Sequence, residues 1–165
     1  MKLDRRSAFT IGLTVAIVVL FNVSILDRAR LIASGEPVFL IVELSEERSF
    51  LQGDYMQLRF AVERDAAAEP PGGHVRRGYL VLRLNYYNVA RFDRFHAGEP
   101  LTSEERLVRF HRRSSQFRVV PDAFFFQQGH AELYEDAHYG VFKFDDRGRY
   151  ILVGLADRER TLIEP

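Results

Sequence analysis

The first distinctive pattern along the chain is an uncharged apolar run over residues 7–26, in which Val, Ile, Leu, Phe and Ala predominate. Its few Thr, Asn and Ser interruptions define no polar face of the width that a buried core helix normally shows. At about 1.5 Å per residue, a helix of this length covers about 30 Å, the thickness of the hydrocarbon core of a bilayer. The pattern therefore predicts a transmembrane helix over residues 7–26.

A cleaved signal peptide is the competing interpretation, because Lys2, Arg5 and Arg6 form a basic segment before the apolar run. The run is longer than the usual apolar region of a signal peptide, and residues 25–30 offer no pair of small residues for cleavage. We therefore favour an uncleaved anchor. The basic amino-terminal segment favours residues 1–6 in the cytoplasm and the chain after the helix on the other side of the membrane.

Beyond a juxtamembrane connector over residues 27–37, short apolar or alternating segments predict strands. Residues 38–42 are a β-branched apolar run typical of a strand buried on both faces. Residues 55–62 alternate, with every second side chain apolar, as in a half-buried antiparallel strand. Further strands are predicted over residues 79–84, 89–95, 107–112, 116–120, 139–144 and 149–155, with a hairpin turn between the last two and a loop over residues 66–73.

Only one short helix, over residues 130–137, is predicted after the anchor. Seven or eight short strands without an alternating βαβ rhythm indicate a mainly β domain over residues 38–165. We expect an antiparallel barrel or sandwich.

Composition excludes several classes of function. The chain has 23 basic and 23 acidic residues, so no overall field would recruit nucleic acid. It has no Cys, which excludes thiolate metal sites and cysteine nucleophiles. Its lysines are Lys2 and Lys143, so a Ser–Lys dyad would depend on Lys143, in the centre of a predicted strand. No G-x-S-x-G elbow marks a serine nucleophile. We identify no catalytic residue and no cofactor.

Residues 53–60, GDYMQLRF, resemble the signature of the GDYXXLXY family of membrane-anchored bacterial proteins, with Phe60 in place of the final Tyr. Residues 42–52, 120–129, 134–140 and 152–157 resemble further blocks of that family. The resemblance implies a single-pass protein of the bacterial envelope. Together with the charge bias, we expect the anchor in the inner membrane and the β domain outside the cytoplasm. The resemblance implies no known activity, and often an association with a polytopic membrane protein.

The motif itself indicates architecture. Gly53 and Asp54 form a turn pair, and Leu58 and Phe60 are expected to face the core. Tyr55 points to the opposite face of the predicted strand. We expect a structural role for its packed ring, and the alternative is that its phenol lines a groove.

Two other groups are candidates for ligand or partner contact. Glu135 and His138 lie three residues apart on the predicted helix, and His130 lies two turns before His138, a spacing that metal ligands use. A single E-x-x-H on one short helix is weak, so we predict surface histidines and no metal site. The adjacent rings of Phe124, Phe125 and Phe126 cannot all share one sheet face. Either one ring is exposed for a contact, or an irregular loop buries all three.

The arginines of the most basic window of the chain are predicted to lie on a solvated strand face. The functional alternative is that they contact anionic lipid headgroups or a partner loop. These arginines are Arg106, Arg109, Arg112, Arg113 and Arg118.

Taken together, these patterns favour an accessory subunit that is anchored in the lipid bilayer by its helix and binds a polytopic membrane protein. The alternative is a membrane-tethered hydrolase or small-ligand-binding domain with a site near Asp54, Tyr55 and residues 130–138.

The anchor can be tested directly. Because the helix is solvated by lipid, carbonate-washed membrane vesicles should retain the intact chain in the pellet. Recovery of the intact chain in the supernatant would contradict the anchor.

Overall fold

The computed structural model describes residues 5–43, 55–72, 75–113, 116–127, 129–145 and 147–164. The chain divides into an amino-terminal unit, Met1–Gly35, and a larger unit, Glu36–Pro165. The second unit is mainly β, as the sequence predicts.

The amino-terminal unit contains one long helix, α1 (Arg5–Ser34). Its segment Phe9–Ser34 contains an 18-residue stretch with a mean hydropathy of 2.4 and is long and apolar enough to cross a membrane. Polar side chains in the helix donate to carbonyl oxygens one turn earlier, Thr14 to Thr10 at 2.9 Å and Asn22 to Val18 at 2.8 Å. These bonds satisfy the polar groups within the helix, which lowers the cost of placing them in lipid.

The larger unit contains nine strands and one α-helix among its described residues. In chain order they are β1 (Glu36–Ile41), β2 (Tyr55–Gln57), α2 (Ala61–Ala68), β3 (Arg77–Leu84), β4 (Val89–Phe95), β5 (Glu105–Arg113), β6 (Gln116–Val119), β7 (Ala123–Phe125), β8 (Tyr139–Phe144) and β9 (Tyr150–Ala156). Seven strands form one curled sheet, a half-barrel, in the order β6-β5-β3-β4-β1-β8-β9. β2 and β7 form a separate antiparallel pair.

The first strand joins the two parts of the large sheet. β1 pairs in parallel with β4 and antiparallel with β8, whereas all other pairs in this sheet are antiparallel. The register shifts by one residue between β3 and β4 and between β8 and β9, with Asp93 of β4 and Val153 of β9 as the extra residues. Such β-bulges bend a strand and increase its twist. The curl therefore coincides with local irregularities in the ladder.

One face of the curled sheet forms the core. α2 covers this face and packs against β1, β4 and β6, with Val62 and Ala66 at most 1% exposed. Full burial of a side chain the size of Val or Phe stabilises a fold by about 1.5–3 kcal/mol. The inward side chains of the strands are at most 3% exposed and are Val38, Leu40, Leu80, Leu82, Val108, Phe110, Phe117, Val119, Phe142 and Phe144.

The predicted strand over residues 55–62 is wrong in its second half. The strand ends at Gln57, and α2 begins at Ala61 and includes the first residues of the predicted loop. The alternation of apolar residues does not indicate a strand beyond Phe60. The spacing of Val62 and Ala66 also fits one turn of a helix, so that both lie on the same helical face. The Ala-rich composition of this segment favours a helix.

Two smaller predictions also differ from the structure. The predicted helix over residues 130–137 is a four-residue 3₁₀ helix, Ala131–Tyr134. β1 is fully buried on one face only, because Phe39 and Ile41 are half-buried on the other. The β8–β9 hairpin is confirmed, with Gly148 in the left-handed region at φ 72°.

A tyrosine connects the two sides of the half-barrel. The hydroxyl of Tyr150, on the outermost strand β9, accepts a bond from the Arg109 N–H of β5 and donates to the Val120 carbonyl after β6, both at 2.8 Å. The Tyr150 ring stacks on Phe144, with 5.1 Å between ring centroids. Burial raises the pKa of this hydroxyl, so it stays protonated and able to donate at neutral pH.

Replacing this tyrosine tests the connection. Tyr150→Phe removes the hydroxyl and leaves the two backbone groups without this partner, so the free energy of unfolding should fall by about 1–2 kcal/mol. Urea unfolding of the full chain in neutral detergent measures the change. Tyr86→Phe is the matched control, since Tyr86 is 94% exposed. Equal stability of the two variants would contradict the role of the hydroxyl.

Candidate functional site

The family motif lies where the small sheet meets the core. Gly53 and Asp54 are outside the described residues, so their predicted turn is not described. Tyr55 begins β2 and pairs with Phe125 of β7. Leu58 is fully buried, as predicted, and its N–H donates to the Asp122 carbonyl at 2.8 Å. The motif thus connects a short exposed sheet to the interior.

Phe60, the last residue of the motif, is 1% exposed. Its ring packs edge-to-face on Phe142, with 5.6 Å between centroids. A Cβ at Gly140 would lie 2.8 Å from the Phe60 ring, so this close packing requires glycine there. Phe60 also precedes the first turn of α2 as its N-cap residue. Its predicted inward position is confirmed.

An aromatic cleft of about 480 Å³ lies beside the small sheet. The rings of Phe124 and Phe126 pack against Tyr134, at 5.2 and 5.5 Å between centroids. The Phe125 side chain is 73% exposed, so the triple-Phe run presents one ring to solvent. The cleft is lined by Phe124, Phe125, Phe126, Gln127, Tyr134, Val153, Gly154, Leu162, Ile163 and Glu164.

The proposed ligand group His130, Glu135 and His138 does not share a helical face. The 3₁₀ helix ends at Tyr134, Glu135 is exposed, and the ring of His138 packs against Tyr139 at 4.8 Å. In the part of the chain that the structure describes, no group of three or more acidic, His or Cys side chains is placed to hold a metal ion. The segment instead contributes Tyr134 to the aromatic cleft.

A buried carboxylate that the sequence analysis missed ties α2 to the sheet. Glu63, in the first turn of α2, is 6% exposed. It accepts a hydrogen bond from the Val119 N–H of β6 at 2.8 Å and one from the Arg118 guanidinium at 3.2 Å. Because β6 is an edge strand, the carboxylate satisfies a backbone donor that would otherwise lack a ladder partner.

The environment of Glu63 changes its titration. Burial raises the pKa of this carboxyl from 4.5 to about 7, because lost hydration outweighs the bond from Val119 and the attraction of Arg118. The carboxyl lies at a cleft of about 250 Å³ that is also lined by Arg59 and Arg64. A Glu at the third position of a helix is a recognisable feature of helix starts. This feature was overlooked because the segment was predicted to be a strand.

A second missed group organises the loop between β4 and β5. Arg94 donates to Glu105 at 2.6 Å, to Asp93 at 2.6 Å and to Glu99 at 2.9 Å. Hydrogen bonds from Arg94 and from the Thr102 N–H lower the pKa of Glu105 to about 2. Glu105 is 5% exposed, so this is a structural ion-pair network in which each charge is hydrogen-bonded.

The basic window of β5 and β6 is divided among several environments rather than forming one solvated face. Arg106 donates to Glu36 at the start of β1, and Arg118 to Glu63. Arg112 is half-buried with its guanidinium 5.3 Å from an aromatic ring centroid. Of the five arginines, Arg109 and Arg113 are the exposed ones.

The fold and the motif together define the class: a mainly β domain that follows an apolar helix of membrane-spanning length. The chain matches the family model described as GDYXXLXY protein over residues 17–155 and belongs to that family. No curated protein and no solved structure matches the chain.

The raised pKa of Glu63 predicts a pH dependence of stability. The folded chain binds this proton more tightly than the unfolded chain, so the free energy of unfolding should fall as the pH rises from about 4.5 to about 7. Glu63→Gln should remove this pH-dependent contribution. The difference in the free energy of unfolding between the variant and the parent should therefore change by at most about 3 kcal/mol between these two pH values. Urea unfolding at a series of pH values measures the shift.

An exposed carboxylate gives the control. Glu104→Gln, in the turn before β5, should leave the pH profile of unfolding unchanged. Parallel profiles for the parent and Glu63→Gln would show that Glu63 titrates alike in the folded and unfolded chain, against this prediction.

Proposed function

We propose that this protein is a single-pass anchored protein of the bacterial envelope that serves as a non-enzymatic accessory subunit. In this proposal, α1 crosses the inner membrane with the amino terminus in the cytoplasm. The β domain lies on the extracytoplasmic side and binds a polytopic membrane protein through the aromatic cleft.

The anchor part of the proposal is supported by the first unit. All described side chains from Phe9 to Leu26 are exposed to the surroundings in this chain, although most are large and apolar. Lipid is the solvent that suits such a surface. The membrane anchoring that the family resemblance implies agrees with this placement, and the basic residues Lys2, Arg5 and Arg6 support the orientation.

The observation that carries the partner part is the exposed ring of Phe125. Aromatic side chains are enriched at protein interfaces, where a ring that fills a pocket on a partner contributes much of the binding energy. Phe125 stands on a short strand and lines an apolar cleft, as does the half-exposed Leu162. Backbone pairing between β2 and β7 holds this ring on a regular element rather than on a loop.

Site-specific photo-crosslinking tests the proposal. The photoreactive residue p-benzoylphenylalanine is placed at position 125 of the full chain in its native host, and mass spectrometry identifies the adducts. We expect a polytopic membrane protein as the adduct, and Phe125→Ser should reduce its co-purification from mild detergent at least fivefold. The matched control is the same photoreactive residue at position 86, where a tyrosine is even more open to solvent than Phe125.

Several results would contradict the accessory role. One is the absence of a position-specific adduct at residue 125, and another is a lone monomer in every gentle extract. A reporter fused after Pro165 that is active only in the cytoplasm would contradict the orientation.

A further inference from the structure

A third cleft, whose lining residues differ from those of the aromatic cleft and of the cleft at Glu63, has a basic character. It has a volume of about 650 Å³ and lies over β3, β5 and the residue after β6. We call it the basic cleft, and its lining residues are Arg77, Gly78, Tyr79, Arg109, Phe110, His111 and Val120.

Strand register places the polar side chains of this cleft together. Arg77 of β3 is directly opposite His111 of β5, and Tyr79 is directly opposite Arg109. Opposite residues of an antiparallel pair project from the same face of the sheet, and diagonal neighbours such as Arg77 and Arg109 lie about 7–8 Å apart at the backbone. Two guanidinium groups can therefore reach one small anion from adjacent strands.

The charges of this cleft have no acidic partner in the part of the chain that the structure describes. Among the described residues, neither Arg77 nor Arg109 forms an ion pair with a carboxylate. By contrast, Arg94, Arg106 and Arg118 of the same sheet each have an acidic partner. Because the whole chain has equal numbers of basic and acidic residues, this concentration of unpaired positive charge is local.

The cleft is also held in place by the surrounding packing. The Arg109 guanidinium lies 5.9 Å from the centroid of the Tyr79 ring, and the Arg109 N–H is bound by the Tyr150 hydroxyl. A Cβ at Gly78 would lie 2.9 Å from the Phe110 ring, so the strand and this ring are in close contact. Stacking on an aromatic ring leaves the planar donors of an arginine available for a ligand.

We propose that the basic cleft binds a phosphate group, with Arg77 and Arg109 donating to its oxygens and Tyr79 supporting Arg109. Arginine fits phosphate well because its parallel N–H groups match two oxygens at once, and two arginines match the double charge. The group belongs either to a membrane lipid headgroup or to a soluble phosphate compound, and the volume of the cleft admits both. This binding is independent of the partner proposed for the aromatic cleft.

The test uses the full chain in neutral maltoside micelles and isothermal titration calorimetry. One titrant is inorganic phosphate, and the other is phosphatidylglycerol in mixed micelles, with phosphatidylcholine as the neutral-headgroup comparison. Arg77→Gln and Arg109→Gln should each weaken binding about tenfold, which corresponds to about 1.4 kcal/mol. Arg91→Gln is the matched control, since Arg91 is an exposed arginine of β4 outside the cleft and should bind within twofold of the parent.

Each outcome decides one part of the proposal. Arginine-dependent binding of phosphatidylglycerol alone supports a lipid headgroup, and arginine-dependent binding of inorganic phosphate supports a soluble source. Binding of neither titrant by the parent chain overturns the proposal, as does equal binding by the parent and Arg77→Gln. If Arg109→Gln unfolds, as its urea profile would reveal, the comparison of Arg77→Gln with Arg91→Gln decides alone.

Discussion

The hydroxyl of Tyr150 is the interaction on which the shape of the β domain depends most. A curled sheet of seven strands brings its outermost strand β9 towards β5 and β6, but β9 is not paired with either of them. The Tyr150 hydroxyl accepts a hydrogen bond from the Arg109 N–H and donates one to the Val120 carbonyl, and so links the two sides. The half-barrel therefore encloses its core without a complete ring of strand pairs.

Glu63 has a comparable role at the edge strand β6, but the burial of its carboxylate is unfavourable. It supplies an acceptor to the Val119 N–H and a partner to Arg118, but its burial raises its pKa to about 7. A carboxylate in this position holds α2 at one location on the sheet, and its ionisation at neutral pH opposes the stability of that arrangement. The same residue therefore specifies the packing of the helix and makes it sensitive to pH.

The family motif contributes architecture to this arrangement. Leu58 and Phe60 lie in the core, and Phe60 ends the extended segment where α2 begins. The ring of Phe60 has replaced a tyrosine of the motif and packs between Phe142 and Gly140. Tyr55 belongs to the small sheet that carries the exposed Phe125. The motif thus links the interior of the domain to the aromatic cleft.

The sequence by itself determined the apolar helix, the family and most of the strands, because these depend on local periodicity and composition. The strands over residues 89–95 and 139–144 agree with β4 and β8, since alternation and turn residues specify both ends. Only the tertiary structure decided the rest. Residues 55–62 fit both a strand and a helix, and contact with β1, β4 and β6 selects the helix after Phe60. The roles of Glu63, Tyr150 and Arg77 arise from partners 30 or more residues distant in sequence, and no local pattern reports such contacts.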